Sequence, residues 1–472
     1  MNTPILRLFA VFLVLFALLA GFTSWWSVVG AEDLRDNALN RRELLEEQRV
    51  RRGPITARDG TVIARSVPAG EGTFARRYPL GSLFGHPVGY AFPTGLGRSG
   101  LEQSRNDELA GTEGDLDTLF EGFDSRGRGD GVRTTLDLGA QRVATEALAG
   151  RPGSVVAIEP ATGKVRAMVS VPGFDPNALR GRSRLTGVDL LNRATLGRYP
   201  PGSTFKVVTA TAAIDSGDFT QGSVVDGSSP KLVSGAPLQN FGNQSYGPIP
   251  LTTALTQSVN TVWAEVGTRL GGETMQEYME RFGFYERIPI DLPAGTIGRS
   301  GVYKAGPRPV PMTSRRVDVG RVAIGQGDLL VSPLQMAMVA AAVANDGRLM
   351  QPTLTDRILD AGGGTADDVE PVEMAEVMSR ETARQVGDMM ADVVAEGTGT
   401  AAALEGASVA GKTGTAEKNV ATRLNQPWFI GFAPRENPRI AIAATVEESI
   451  AGSGGTVAAP IARAVLEELL AR

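Results

Sequence analysis

Cysteine is absent from the 472 residues. No thiol can serve as a nucleophile, no disulfide can brace a loop and no cysteine-bound metal site can form, although the absence alone does not fix the compartment. Histidine is almost absent as well. The single one, His86, stands in Gly85-His86-Pro87, a run of turn residues that reads as a surface loop. A Ser-His-Asp triad would have to use it and a zinc site would own one imidazole, so an activated nucleophile here needs a different base. Lysine is scarce too: only 164, 206, 231, 304, 412 and 418, among 47 basic residues. The formal charge of −5 offers no general basic face, which argues against a nucleic-acid partner. What is present is ordinary for a folded chain, 42% hydrophobic and 21% charged, and the length predicts two or more folded units.

The amino-terminal region is the clearest physical signal. No charged residue occurs from Leu8 to Ala31, and LFAVFLVLFALLAGF runs unbroken toward Trp25-Trp26. Such a stretch is about 36 Å long as a helix, enough for a hydrocarbon core of about 30 Å. It reads as a retained membrane anchor over residues 1–30 rather than a cleaved signal peptide, because the apolar run exceeds a usual signal core. Arg7 lies on one side and Arg35, Arg41 and Arg42 on the other, so charge does not decide the orientation.

After the anchor, AEDLRDNALNRRELLEEQRV, with Leu34, Leu44 and Leu45, reads as a charged, solvated stalk helix. Residues 53–131 are rich in glycine and turn signals and predict short strands with little helix. A helical pattern from Thr134 to Ala149 stops at Gly150. The chain therefore divides into a small, mostly β pedestal-like or dimerisation-like domain, 31–133, and a large domain, 134–472. The large domain opens with a hairpin, SVVAIEP then KVRAMVSV, and closes with strand-like segments around Ser408–Ala416, Trp428–Ala433 and Arg439–Glu447 and a helix from Ala458 to Leu470. Strands at both ends with helices between them predict an α+β domain whose antiparallel sheet, flanked by helices, joins the ends of its own sequence.

Three short sites carry the chemistry. In PPGSTFK, Pro and Gly before a helical run place Ser203 at a helix N-terminus, with Lys206 one turn on and within reach of its hydroxyl. For that lysine to be a base, its pKa must fall by roughly three units from about 10.4, about 4 kcal/mol. The helix dipole, burial and a second cation would all push that way. Ser258-Val259-Asn260 can present a hydroxyl and an amide to one pocket from a loop joining two helices. Lys412-Thr413-Gly414-Thr415 reads as a strand whose lysine and hydroxyls could clamp a carboxylate, with the glycine admitting a substrate backbone. This last segment has a rival: GASVAGKT, Gly406 to Thr413, matches the phosphate-cradling loop pattern. It lacks the preceding strand and following helix that such a loop needs. A glycine pattern at Gly397-Thr398-Gly399 is a weaker dinucleotide signal.

Ser-x-x-Lys, Ser-x-Asn and Lys-Thr-Gly in this order are the set shared by β-lactamases and penicillin-binding proteins. At this point the chain resembles the class B penicillin-binding proteins, monofunctional D,D-transpeptidases, and among them the short penicillin-binding protein A type. RRGPITARDGTVIARS resembles a pedestal segment, with Ala57 where the family usually has Asp. GRSGLEQSRNDELAGTEG, NRATLGRYPPGSTFK, GQGDLLVSPLQMAMVAAAVANDGRL and PWFIGFAP resemble further stretches.

The resemblance implies a serine transpeptidase fold and a reaction without metal or cofactor. Ser203 would attack the penultimate D-Ala carbonyl of a stem peptide, with Lys206 taking its proton. Ser258 would pass a proton to the departing D-Ala, and Asn260 would position Lys206 and the substrate. Lys412, Thr413, Gly414 and Thr415 would form the substrate-binding strand, and the Ser203 and Thr415 N–H groups the oxyanion hole. It further implies β-lactam antibiotics as acylating ligands, peptidoglycan stem peptides as substrates, a RodA/FtsW-like membrane glycosyltransferase as partner, and a single-pass protein with its catalytic domain outside the cell membrane. A β-lactamase, a carboxypeptidase and a penicillin-reactive sensor or division scaffold without turnover are the alternatives; no E-x-x-L-N segment of the β-lactamase kind lies between Asn260 and Lys412.

Overall fold

The structure, a computed structural model, describes residues 2–28, 48–92, 96–111, 128–182, 184–360, 362–419, 422 and 424–471. Most of the expected stalk helix lies outside these residues. The amino-terminal run forms one helix, α1 (Asn2–Val28). Within it Thr3–Thr23, of mean hydropathy 2.6, is long and apolar enough to cross a membrane. Next come the strands β1 (Ile55–Thr56), β2 (Val62–Gly70), β3 (Thr73–Arg77) and β4 (Gly131–Thr134). This region holds more helix than its glycines predict: Gly85–Val88, Gly100–Ser104 and Asn106–Ala110 are short helices. Two quoted segments meet in its core. Glu102, fully buried, accepts from Arg52 Nη2 at 3.1 Å, Arg76 Nε at 2.5 Å and the Tyr78 hydroxyl at 3.2 Å. Ala57 is also fully buried, in a turn closed by its own N–H on Thr61 O at 2.9 Å.

The helix predicted from Thr134 begins later, as α2 (Leu138–Leu148), because Asp137 caps it by accepting from Ala140 N while Thr134 stays in β4. A hairpin follows, β5 (Gly153–Ile158) and β6 (Val165–Val171). Then come α3 (Lys206–Asp215), α4 (Leu251–Thr256), α5 (Asn260–Arg281) and α6 (Pro333–Ala344). Strands β7 (Thr355–Leu359) and β8 (Thr365–Asp368) and helix α7 (Arg380–Ala395) lead to β9 (Ala410–Asn419), β10 (Leu424–Ala433) and β11 (Ile440–Val446), and α8 (Ala459–Leu470) closes the chain.

One sheet has the order β9-β10-β11-β5-β6, antiparallel throughout, so the two ends of the domain's sequence are neighbours as expected. The central strands β5 and β11 read as nearly continuous apolar runs because both faces are covered, whereas the edge strand β9 is polar. Val155, Ala157 and Ile442 pack with Ala144 and Leu148 of α2 and Val465 and Leu466 of α8. Val156, Ile158, Ile430 and Ala443 face Leu334 and Met338 of α6 and the rest of the main core. A second sheet runs β8-β7-β4-β1-β2-β3. Here β1 and β4 are parallel, while β7, from far along the chain, pairs antiparallel with β4. Asp291 fastens the junction, accepting from Leu354 N at 2.7 Å while its own carbonyl accepts from Ser104 Oγ at 2.8 Å.

Candidate active site

Ser203 stands on a turn that only glycines can build. Gly202 has φ +54° and its N–H donates to Gly325 O at 3.1 Å. The chain makes one 3-10 turn, Gly202–Phe205, and becomes α-helical at Lys206. Ser203 therefore precedes the α-helix proper. In a 3-10 turn residues i and i+3 eclipse, which stacks Ser203 and Lys206 along one side. A Cβ on Gly414 would lie 2.7 Å from Pro201 O, one on Gly325 1.9 Å from Gly202 O, and one on Gly202 3.2 Å from the carbonyl of Thr415. Turn and edge strand β9 thus meet backbone to backbone. Gly325, at φ +77°, and Gly454, whose Cβ would lie 2.5 Å from Gly414 O, belong to this packing. Sequence reasoning singled out neither, although Gly325 opens one of the quoted stretches.

Ser258 occupies the short link between α4 and α5 at φ +59°, and Asn260 begins α5. The three sequence sites converge. Lys206 Nζ donates to Ser258 O at 2.8 Å and to Asn260 Oδ1 at 2.7 Å, with Ser258 Oγ at 3.3 Å. Asn260 is held in turn by donating from Nδ2 to Gln239 O at 3.0 Å. Lys412 Nζ donates to Ser258 Oγ at 2.9 Å and to Thr413 O at 3.0 Å. Both lysines are fully buried. Burial lowers the Lys206 pKa far below 10.5, and the charge of Lys412 adds to it; burial alone brings Lys412 to about 7. Of the three influences expected on Lys206, burial is the largest here and the second cation, Lys412, follows it. A neutral amine has two N–H donors and one lone pair, and the Ser258 carbonyl and Asn260 Oδ1 take both donors. The lone pair is left for a hydroxyl proton. Among the described residues Ser203 Oγ, which is partly exposed, makes no hydrogen bond to Lys206; contacts of this kind often tighten only when substrate binds.

Lys412, Thr413, Gly414 and Thr415 lie mid-strand in β9, not at a helix start, which removes the phosphate-loop reading. Thr413 Oγ1 is 2.6 Å from Thr398 Oγ1, and Thr415 Oγ1 accepts from Gly454 N at 3.1 Å. Two of the quoted stretches brace the Ser203 turn from behind. Trp428 Nε1 donates to Pro200 O at 3.1 Å, and Tyr199 stacks edge-on against Trp428 with ring centroids 6.2 Å apart. Tyr199 and Arg193 both donate to Glu447 Oε1, at 2.5 and 2.9 Å.

His86 is not the surface residue its loop-like context predicts. It is 8% exposed, with Nε2 2.9 Å from Pro172 O and its ring edge-on to Phe174. Burial lowers its pKa and keeps it neutral. Among the described residues its ring makes no hydrogen bond to Ser203, Lys206, Ser258 or Lys412. Among the described residues no group of carboxylates and imidazoles could ligate a metal ion.

The penicillin binding protein transpeptidase domain matches residues 153–467, and the penicillin binding protein A dimerisation domain matches 52–122. The chain is 34% identical over 507 aligned positions to the peptidoglycan D,D-transpeptidase PbpA of Mycolicibacterium smegmatis, an alignment covering 100% of this chain and 99% of the relative. Among solved structures it is similar to penicillin-binding protein A from M. tuberculosis in its ceftriaxone acyl-enzyme complex, at 30% identity and TM-score 0.80, covering 90% of this chain and 100% of that one. The penicillin G acyl-enzyme of the same protein gives 30% identity and TM-score 0.78 over 89% of this chain and 100% of that one.

Proposed function

The chain belongs to the class B penicillin-binding proteins, and from that membership we propose how its residues divide the labour of a peptidoglycan D,D-transpeptidase. Ser203 Oγ attacks the carbonyl carbon of the penultimate D-Ala of a stem peptide, and its proton passes to the lone pair of Lys206 Nζ. The oxyanion forms between the N–H groups of Ser203 and Thr415, each such donor stabilising it by about 3–4 kcal/mol. The C–N bond to the terminal D-Ala breaks as that amine takes a proton through Ser258 Oγ. An amine of a second stem peptide then attacks the acyl-enzyme and restores the serine. Asn260 fixes Lys206; Lys412, Thr413 and Thr415 receive the substrate carboxylate, and Gly414 admits the turn that carries the nucleophile.

The observation that carries this reading is the buried line Lys206–Ser258–Lys412, whose contacts of 3.3 and 2.9 Å join all three sequence sites around one hydroxyl. β-Lactams, which resemble D-Ala-D-Ala, acylate the same serine. The test is mass spectrometry after incubation with penicillin: one adduct on the peptide containing Ser203, absent in Ser203→Ala. An adduct elsewhere, or none, refutes the assignment.

The membrane-length helix α1 supports a single-pass anchor with residues 31–472 outside the membrane, where the substrate lies. Residues 31–133 then serve as pedestal and 134–472 as transpeptidase domain, with β7 and β8 of the latter completing the pedestal sheet. A cross-linking enzyme needs newly polymerised strands beside it, so a RodA/FtsW-like membrane glycosyltransferase is the partner this reading assigns. Co-purification in detergent of the full chain, and its loss on replacing α1, tests that pairing.

A further inference from the structure

We infer that Thr398 is a positioning residue for the carboxylate-binding strand: its hydroxyl donates to Thr413 Oγ1 and so turns the Thr413 proton toward the bound carboxylate. The inference rests on the carboxylate clamp described above and adds a residue to it.

Thr398 lies in the Gly397-Thr398-Gly399 segment that the nucleotide readings leave unexplained. The segment follows the C-terminus of α7, and three close backbone approaches fix it. A Cβ on Gly397 would lie 2.4 Å from Thr256 O, at the end of α4. Gly399 N donates to Val393 O at 2.9 Å. A Cβ on Gly455 would lie 2.5 Å from Thr398 O. Thr398 is thus held between α4, which leads to Ser258, and the turn that carries Gly454.

From that position its Oγ1 is 2.6 Å from Thr413 Oγ1. Only one of two hydroxyls at this distance can donate to the other. If Thr413 donated to Thr398, its proton would point away from the substrate and its oxygen would repel a carboxylate. If Thr398 donates, the Thr413 proton is free to reach the ligand, and accepting a bond strengthens it as a donor. The neighbouring clamp hydroxyl has the same arrangement: Thr415 Oγ1 accepts from Gly454 N at 3.1 Å, which leaves its own proton to donate. Each hydroxyl of the clamp accepts from behind and donates forward.

The test compares acylation of the full-length protein by benzylpenicillin and by its methyl ester, which lacks the anionic carboxylate. Thr398→Val removes the hydroxyl at nearly constant volume. It should lower the second-order acylation rate with the acid about five-fold, as loss of one neutral hydrogen bond of about 1 kcal/mol predicts, and leave the ester rate unchanged. Thr398→Ser should restore the acid rate. Equal losses with acid and ester would assign Thr398 a merely structural role and overturn the inference, as would an unchanged acid rate. A wild-type protein that fails to distinguish acid from ester would sink the carboxylate clamp itself, and this inference with it. Loss of all labelling in Ser203→Ala tests the nucleophile separately.

Discussion

Lys206 and Lys412 approach the hydroxyl of Ser258 from two sides, at 3.3 and 2.9 Å, and neither amine is exposed to water. Two buried ammonium groups sharing one neighbour repel each other, so the pair holds a second proton poorly. Burial works against both ammonium forms and the Lys412 charge works further against that of Lys206, which suits the proposed division of a free amine at Lys206 and a charge at Lys412.

That relation can be tested by removing one partner. Burial and the Lys412 charge both lower the Lys206 pKa. Lys412→Met removes the second cause, so the acid limb of the penicillin acylation profile should move to higher pH, alongside a lower rate throughout. Rates measured from pH 5 to 9 decide it. A limb that stays in place would show that the two amines titrate independently.

Stability should carry the same signature. With Lys412 at about 7 when folded against 10.5 when exposed, the unfolded chain binds more protons between those values. Stability therefore climbs with pH across that window, and the cost of the buried charge is greatest below it. Thermal melts of wild type and Lys412→Met should converge as pH rises from 7 to 10.5, the variant gaining less. Parallel melting curves would contradict the burial of a charged amine.

Gly325→Ala should be costly although position 325 touches no substrate in the proposed mechanism. Its φ of +77° disfavours a side chain, and the added Cβ would meet Gly202 O at 1.9 Å. A left-handed alanine and an overpacked contact together cost about 2–4 kcal/mol. Displacing the Gly202 carbonyl should also shift Ser203. Acylation is expected to fall at least about ten-fold, as a 1.4 kcal/mol rise in the barrier would give. Denaturant melts and acylation rates measured together check both parts.

In the pedestal, Glu102→Ala should destabilise by about 3–5 kcal/mol, because it leaves Arg52 and Arg76 buried without their carboxylate. Burial raises the Glu102 pKa, but Arg76 and Arg52 outweigh it and the net shift is downward from 4.5. The contribution is thus present above pH 4.5 and lost as pH falls through the lower folded value. Urea melts at pH 7 and pH 3 should differ less for the variant than for wild type. Acylation per folded molecule should be unchanged.

The convergence of the three motifs was legible because they are built on residue types that are rare in this chain. Two of six lysines, Lys206 and Lys412, fall beside a serine and a threonine-glycine pair at fixed spacing, and one histidine leaves no rival base. The apolar runs of β5, β10 and β11 gave the sheet for the same local reason. What depends on distant packing was not legible. His86 looked exposed because turn residues surround it, yet Phe174 and Pro172, some ninety positions on, cover it. Gly325, Thr398 and Gly454 matter only through backbone that passes beside Gly202, Thr413 and Thr415. The cause of the Lys206 shift is tertiary as well: burial and a second cation can be required of a base on chemical grounds, but that Lys412 is the cation and that burial is complete follow only from the packing.

Strand β7 belongs to the large domain by sequence and to the pedestal sheet by its hydrogen bonds, lying between β4 and β8. The two territories are therefore interleaved, not joined end to end. Severing the chain just before Leu138 would strip β7 of its neighbour and leave each fragment with a bare row of amides and carbonyls, an invitation to aggregate. Exchanging pedestals between relatives by a single crossover would fail for that reason. A workable chimera must carry residues 355–368 along with the amino-terminal strands they complete.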